Sequence, residues 1–70
     1  MTDRYQHVQT EPSSLWVVRH NLYTRAPVVD AFIEVDGKIN KMLPKAVVVV
    51  SDMELHIEWS VPRSGKAGVV

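Results

Sequence analysis

Apolar and polar side chains alternate along three segments of the chain. In residues 29–35 the odd positions are valine, alanine, isoleucine and valine, while the even positions are aspartate, phenylalanine and glutamate. In residues 55–59 leucine, isoleucine and tryptophan share one side, and Trp16, Val18 and His20 do the same earlier in the chain. A period of two is typical of a half-buried β-strand, so the pattern predicts an all-β protein.

Turn-forming residues separate these runs. The pair Asp36-Gly37 predicts a tight hairpin, because glycine adopts a positive φ without steric cost. The four prolines also fall between candidate strands, where a missing N–H does no harm. A last turn is expected at Arg63-Ser64-Gly65. Both Gly37 and Gly65 are therefore expected at positions with a positive φ or a close approach of backbone.

These signals predict seven short strands and no helix. The strands are expected near residues 4–9, 14–20, 27–35, 38–43, 45–51, 54–60 and 66–70. The fold class is a small antiparallel β-sandwich of about six to seven strands, in which two layers pack face to face. Residues 1–70 are expected to form one domain, and residues 1–3 a flexible N-terminus.

The largest apolar side chains, Trp16 and Trp59, both lie on faces predicted to point inward. We expect them to anchor the core, together with Val18, Val29, Ile33, Leu55 and Ile57. The alternative is that the tryptophans are exposed and form a platform on which a carbohydrate stacks.

Four consecutive valines place apolar side chains on both faces of one strand. An isolated small sandwich covers only one face of each strand, so the other face meets a partner or carries scattered surface valines. The first interpretation makes Val47 and Val49 candidates for a subunit contact. Phe32, on the outward side of its strand, and Tyr23, in a loop, are further candidates for that contact.

Composition limits the classes of partner. Eight basic and eight acidic side chains give a net charge of zero, so no general attraction to nucleic acid or to an anionic membrane is expected. No apolar run approaches the roughly 20 residues of a membrane-spanning helix. The chain has no cysteine, which excludes thiolate metal ligands, cysteine nucleophiles and disulfides.

No constellation of residues predicts catalysis or a bound cofactor. The three histidines lie on separate predicted strands without a short-spaced pair, so no metal site is expected. Ser64-Gly65-Lys66 lacks the first glycine and the final hydroxyl residue of a phosphate-binding loop. No serine stands in a Gly-x-Ser-x-Gly context, and the strand carboxylates are expected on solvated faces. His20 and Asn21 are expected to have a structural role in which they bond loop backbone.

The order of these features resembles a small β-sandwich module of bacteriophage virion proteins, found in tail fibres and other tail-associated components. The residues that carry the resemblance are Tyr5, Gln9, Pro12, Trp16, His20, Asn21, Leu22, Pro27, Gly37, Asp52, Trp59, Pro62, Ser64, Gly65 and Ala67. Two features depart from it: Tyr23-Thr24-Arg25 replaces a segment that usually starts with glycine or asparagine, and Trp59 stands where phenylalanine is frequent.

The resemblance implies a structural protein of the virion, assembled in the host cytoplasm. Its place would be the tail, the baseplate or fibre region, or the capsid exterior. Other virion proteins, and further copies of the chain in a homo-oligomer, are the partners that it implies. The alternative is a β-sandwich recognition module that binds a glycan or a protein of the host surface.

Overall fold

The computed structural model describes residues 4–70, and every regular element in that part of the chain is a β-strand. The strands are β1 (Tyr5–Arg19), β2 (Val29–Val35), β3 (Lys38–Lys41), β4 (Ala46–Val49) and β5 (Glu54–Val69). All pairings are antiparallel, which confirms an all-β antiparallel fold. The flexible N-terminus expected at residues 1–3 lies outside the described residues.

The long strand β5 organises the sheet. It pairs with β1 along both strands, with β4 at its first part and with β2 at its last part, while β3 extends the sheet beyond β2. The sheet therefore has two halves that share β1 and β5. We call them the β4 half, which contains residues 15–19 and 54–58, and the β2 half, which contains residues 5–9 and 65–69 together with β2 and β3.

The prediction of seven short strands is wrong at two places. Residues 4–9 and 14–20 belong to a single strand β1, and residues 54–60 and 66–70 to a single strand β5. Neither Pro12 nor Pro62 has a partner in the β1–β5 ladder, and the register shifts on both sides of Ser13. A proline at such an irregularity removes no ladder hydrogen bond, so the strands continue past it.

One tryptophan holds this irregular segment. The indole Nε1 of Trp16 donates to the carbonyl oxygens of Ser13, at 3.1 Å, and Arg63, at 3.0 Å. Ser13 and Arg63 are themselves cross-strand partners between the two halves of the sheet. The Ser13 hydroxyl also donates to the Leu15 carbonyl and accepts from the Leu15 N–H. Side chains thus satisfy backbone groups that the regular ladder leaves unpaired.

Both halves of the sheet contribute side chains to one core. The buried residues are Trp16, Val18, Leu55, Ile57 and Trp59 from the β4 half and its end, and Ala31, Ile33, Ala67 and Val69 from the β2 half. Ring centroids of Trp16 and Trp59 are 5.1 Å apart, and His7 of the β2 half lies 5.9 Å from Trp16. Of the expected core residues only Val29 is half-buried, at the margin of this cluster.

Gly37 and Gly65 are required for different structural reasons. Asp36 and Gly37 both have positive φ, 51° and 77°, which is typical of the type I′ turn of a two-residue hairpin, and β2 and β3 pair on either side of it. That hairpin is confirmed. The turn expected at residues 63–65 is wrong, because Gly65 lies inside β5 and pairs with both Gln9 and Ile33.

Gly65 is nevertheless a position of close approach. Its φ is +155°, and a Cβ atom there would collide with the Phe32 carbonyl oxygen and stand 2.8 Å from the Ile33 Cα. The neighbouring strand β2 therefore packs against a residue that has no side chain. Gly68, three residues further along β5, has no heavy atom within 4 Å of the corresponding point.

Replacing Trp16 and Trp59 by phenylalanine tests the role of the indole N–H. The two substitutions remove similar volumes from the core, but only Trp16 Nε1 has acceptors, whereas Trp59 Nε1 is buried without a partner in the described part of the chain. We expect W16F to lower the free energy of unfolding by about 1–3 kcal/mol more than W59F does. Urea denaturation followed by circular dichroism measures the difference. Equal losses would contradict a stabilising role for the hydrogen bonds of the Trp16 indole to Ser13 and Arg63.

A second pair of variants tests the close approach at Gly65. G65A should lower the free energy of unfolding by roughly 2–4 kcal/mol, because β2 must move away from the added methyl group. The control is G68A in the same strand, which has room for a Cβ and removes a flexible glycine, so its stability should be unchanged or slightly higher. Similar melting temperatures for the two variants would refute the assignment.

Candidate functional site

The loop after β1 is fastened by backbone hydrogen bonds to the β4–β5 connection. The N–H groups of Asn21 and Thr24 donate to the carbonyl oxygens of Met53 and Asp52, at 3.0 and 2.8 Å. Asn21 adopts a left-handed conformation with φ 55°, which asparagine tolerates well. Leu22 packs against the core from this loop. These contacts give the loop a fixed shape over its first turn.

His20 is buried at the start of this loop, with 3% of its surface exposed. Its Nδ1 accepts a hydrogen bond of 3.0 Å from the Leu22 N–H, so the ring proton of the neutral side chain resides on Nε2. Nε2 has no partner within residues 4–70. The geometry matches the structural role expected for His20, in which a ring nitrogen bonds loop backbone.

The four candidate contact residues do not form one surface. Tyr23 is exposed in the loop with φ 54°, and Phe32 lies on the outer side of β2. Val47 and Val49 pair with the buried residues Ile57 and Leu55, which places them on the core side of β4. Val47 nevertheless remains 40% exposed, close to the 43% of Val48, and Val49 is half-buried, so their role in a contact stays a prediction.

The outward valine of β4 is Val48, which lies opposite His56. A shift of one residue in register exchanges the two faces of a strand, and the run of identical residues gives no signal that fixes the register. The sequence therefore predicted apolar side chains on both faces of β4 without determining which valines point outward.

Exposed apolar side chains cover the outer face of the β4 half. Leu15 and Val17 of β1 and Val48 of β4 flank the central strand β5, where Glu58 lies between Leu15 and Ala46. We call this surface the Leu15 face. At the end of this face the Glu54 carboxylate lies 3.0 Å from the His56 Nε2 and 3.6 Å from the Arg19 guanidinium. Glu58 has no ion pair within the described residues.

A second apolar surface covers the outer face of the β2 half. Val8, Lys66, Phe32 and Lys41 form a row across four strands, and Ile39 lies beside it on β3. We call this surface the Phe32 face. Val8 and Ile39 are more than half exposed, at 56% and 59%, and Phe32 is half-buried beneath its neighbours.

Two shallow grooves border the row that contains Phe32. One has a volume of about 240 Å³ and is lined by residues that include Val8, Ile39 and Glu34. The other, of about 500 Å³, lies over Gly68 and is bordered by Arg4 and Asp30. Lys41 pairs with Asp30 at 3.1 Å, whereas Lys66 has no ion pair in the part of the chain that the structure describes.

The titratable side chains are spread over the molecule. No group of three or more histidine, aspartate or glutamate residues converges within residues 4–70. His7 forms a hydrogen bond with Gln9 and His56 with Glu54, and the two pairs lie partly buried in different halves of the sheet. Lys66, which follows the expected turn, lies in the last part of β5 and not in a loop. The geometry thus offers two outer faces with exposed apolar side chains and no cluster of three or more such groups among these residues.

Comparisons of the chain with protein-family models, curated proteins and solved structures found no match. In residues 4–70 no helix is present that could cross a membrane. The resemblance to a phage virion module therefore stays a prediction that depends on the quoted sequence motifs.

The sequence pattern did not predict most of the Leu15 face or of the Phe32 face. One signal was present, since Leu15 and Val17 are apolar although they alternate with the inward Trp16 and Val18. Val8 and Ile39 gave no such signal. Their position on one surface with Phe32 depends on the pairing of four strands.

Aspartate substitutions at adjacent valines test the orientation of β4. V49D places a charge on the core side, where it has no partner, and should cost about 2–3 kcal/mol of unfolding free energy. V48D places the same charge on the outer face and should change stability by less than about 0.5 kcal/mol. Chemical denaturation of both variants checks the expectation. A greater loss of unfolding free energy for V48D than for V49D would show that the assigned orientation of β4 is wrong.

Proposed function

We propose that this chain is a small accessory structural subunit of a bacteriophage virion that acts by non-covalent assembly. Its place in the particle would be the tail, the baseplate or fibre region, or the capsid exterior. The proposal needs no bound cofactor and no chemical turnover. Its partners would be other virion proteins and further copies of the chain.

The observation that carries the proposal is the presence of apolar side chains on both outer faces of the sheet. In a chain of 70 residues, five aliphatic side chains on these faces, Val8, Leu15, Val17, Ile39 and Val48, are between 43% and 59% exposed. Grouped apolar surface of this kind marks a protein contact more often than a solvated surface. The resemblance of the sequence to phage virion modules supports the same conclusion.

We also propose that the two halves of the sheet act as the two layers of a small β-sandwich. The support is the single core to which both halves contribute, together with the shifts of register on both sides of Ser13. Strands that pass from one layer to the other through a bulge or a bend are typical of such packing. The layers would then present the Leu15 face and the Phe32 face on opposite sides.

A recognition module that binds a host-surface glycan is the second candidate. The groove of about 500 Å³ beside Phe32, which has Arg4, Gln6 and Asp30 at its border, is the observation that favours it. Both tryptophans are buried, with Trp16 at 0% and Trp59 at 7% exposure, so neither can stack on a sugar. The buried tryptophans and the apolar faces support the structural subunit over this alternative.

Incorporation into particles tests the structural role. V48D should fold normally but be lost from purified virions, because a charge in an apolar contact must be desolvated on assembly. The control is A26D, a similar substitution at an exposed loop position, which should be incorporated like the parent. Quantitative mass spectrometry of purified particles measures both variants.

Absence of the folded parent protein from purified virions would overturn the structural role. Binding to a glycan array that F32A abolishes would then favour the recognition module. Incorporation of V48D at the level of the parent would instead show that the Leu15 face makes no contact in the particle.

A further inference from the structure

The two apolar faces point away from each other. Side chains of the β4 half and of the β2 half meet in one core. In the proposed two-layer arrangement the outer surfaces of the two halves lie on opposite sides of that core. Each face is built around the strand β5, which passes through both halves. In that arrangement one copy presents two separate apolar surfaces that face in different directions.

The same arrangement of side chains occurs at the centre of each face, with opposite charge. On the Leu15 face, Glu58 of β5 lies between Leu15 and Ala46 of the neighbouring strands. On the Phe32 face, Lys66 of β5 lies between Val8 and Phe32. Neither Glu58 nor Lys66 forms an ion pair within residues 4–70, whereas Asp30 and Glu54 do.

The charged residues around Glu58 and Lys66 give the two faces excess charges of opposite sign. Arg19 on the Leu15 face is matched by Glu54, which leaves Glu58 as an excess negative charge. The Phe32 face has the basic residues Arg4, Lys41 and Lys66 against the acidic residues Asp30 and Glu34. One face thus has a negative excess and the other a positive excess, although the chain as a whole has a net charge of zero.

We propose that the partner of each face is a second copy of this chain, with the Leu15 face of one copy stacked on the Phe32 face of the next. Glu58 of one copy then pairs with Lys66 of its neighbour, and the apolar side chains on either side of both residues are buried together. Charges of opposite sign flanked by apolar surface fix the register of such a contact and exclude a like-charged partner. A copy of the chain supplies both complementary faces in equal number.

The contact joins two different surfaces, so it is heterologous and does not close as a symmetric dimer. Copies related in this way form a ring where the rotation closes and a stack where it does not. The inference deepens the proposed structural role by naming the contact and its geometry. It is tested on the purified protein alone, so its failure is distinguishable from absence of the protein in virions.

Charge exchange between Glu58 and Lys66 tests the contact. In sedimentation velocity at low salt over a series of concentrations, the parent protein should self-associate beyond a dimer. E58K places lysine against lysine and K66E places glutamate against glutamate, so each should weaken association about tenfold or more in the dissociation constant. The double variant E58K/K66E restores an opposite-charge pair and should recover association.

A matched charge change away from both faces is the control. Glu11 is exposed and belongs to neither face, so E11K should associate like the parent. Circular dichroism and thermal melting of every variant separate loss of contact from loss of fold. A parent that stays monomeric up to millimolar concentration overturns the inference, as do single variants that associate like the parent. Failure of the double variant to recover overturns the pairing of these two residues.

Cross-linking supplies a readout that does not depend on the variants. A carbodiimide joins a carboxylate directly to a neighbouring amine, and Glu58 and Lys66 lie in different halves of the sheet within one copy. In a mixture of unlabelled and nitrogen-15-labelled protein, a peptide that joins Glu58 of one isotope to Lys66 of the other is expected. Cross-links between copies that never include this pair would contradict the stacking.

Discussion

The structure depends on one hydrogen-bonding group, the indole N–H of Trp16. At the place where the β1–β5 ladder loses its regular register, this group bonds the carbonyl oxygens of Ser13 and Arg63, one on each strand. The same side chain fills the core and contacts both His7 and Trp59. Packing and hydrogen bonding by one residue therefore fix how the two halves of the sheet meet, and the positions of the outer faces follow from that geometry.

Local signals in the sequence were sufficient where the structure is local. The Asp36-Gly37 hairpin and the inward faces of residues 55–59 depend on neighbours in the chain, and both were predicted. The continuity of β1 through Pro12 and of β5 through Pro62 was not predicted, because a proline normally indicates the end of a strand. Here the strand continues because β1 and β5 pair with each other both before and after the prolines, and that pairing is not visible in the sequence. Gly65 predicts a turn when only its chain neighbours are considered. In the structure a glycine is required there because the backbone of β2 lies too close for a side chain.

The candidate site shows the same limit. Tyr23, Phe32, Val47 and Val49 were selected one by one as apolar residues without an inward role, but only the pairing of strands decides which residues share a surface. The register of β4 against β5 places Val47 and Val49 opposite buried residues and Val48 opposite His56, although Val47 is still 40% exposed. A net charge of zero was likewise uninformative, since it combines two faces of unequal charge.

The central position of β5 also has a consequence for the order of folding. Strands β1, β2 and β4 all take their main partner from this last strand, with Tyr5 opposite Val69 at one extreme. Contacts between residues so distant in sequence form slowly, because the chain between them must be ordered first. While the ribosome synthesises the chain, β1, β2 and β4 remain without that partner until β5 emerges. The sheet is therefore assembled late and nearly all at once, and the exposed strands need protection from aggregation during that interval.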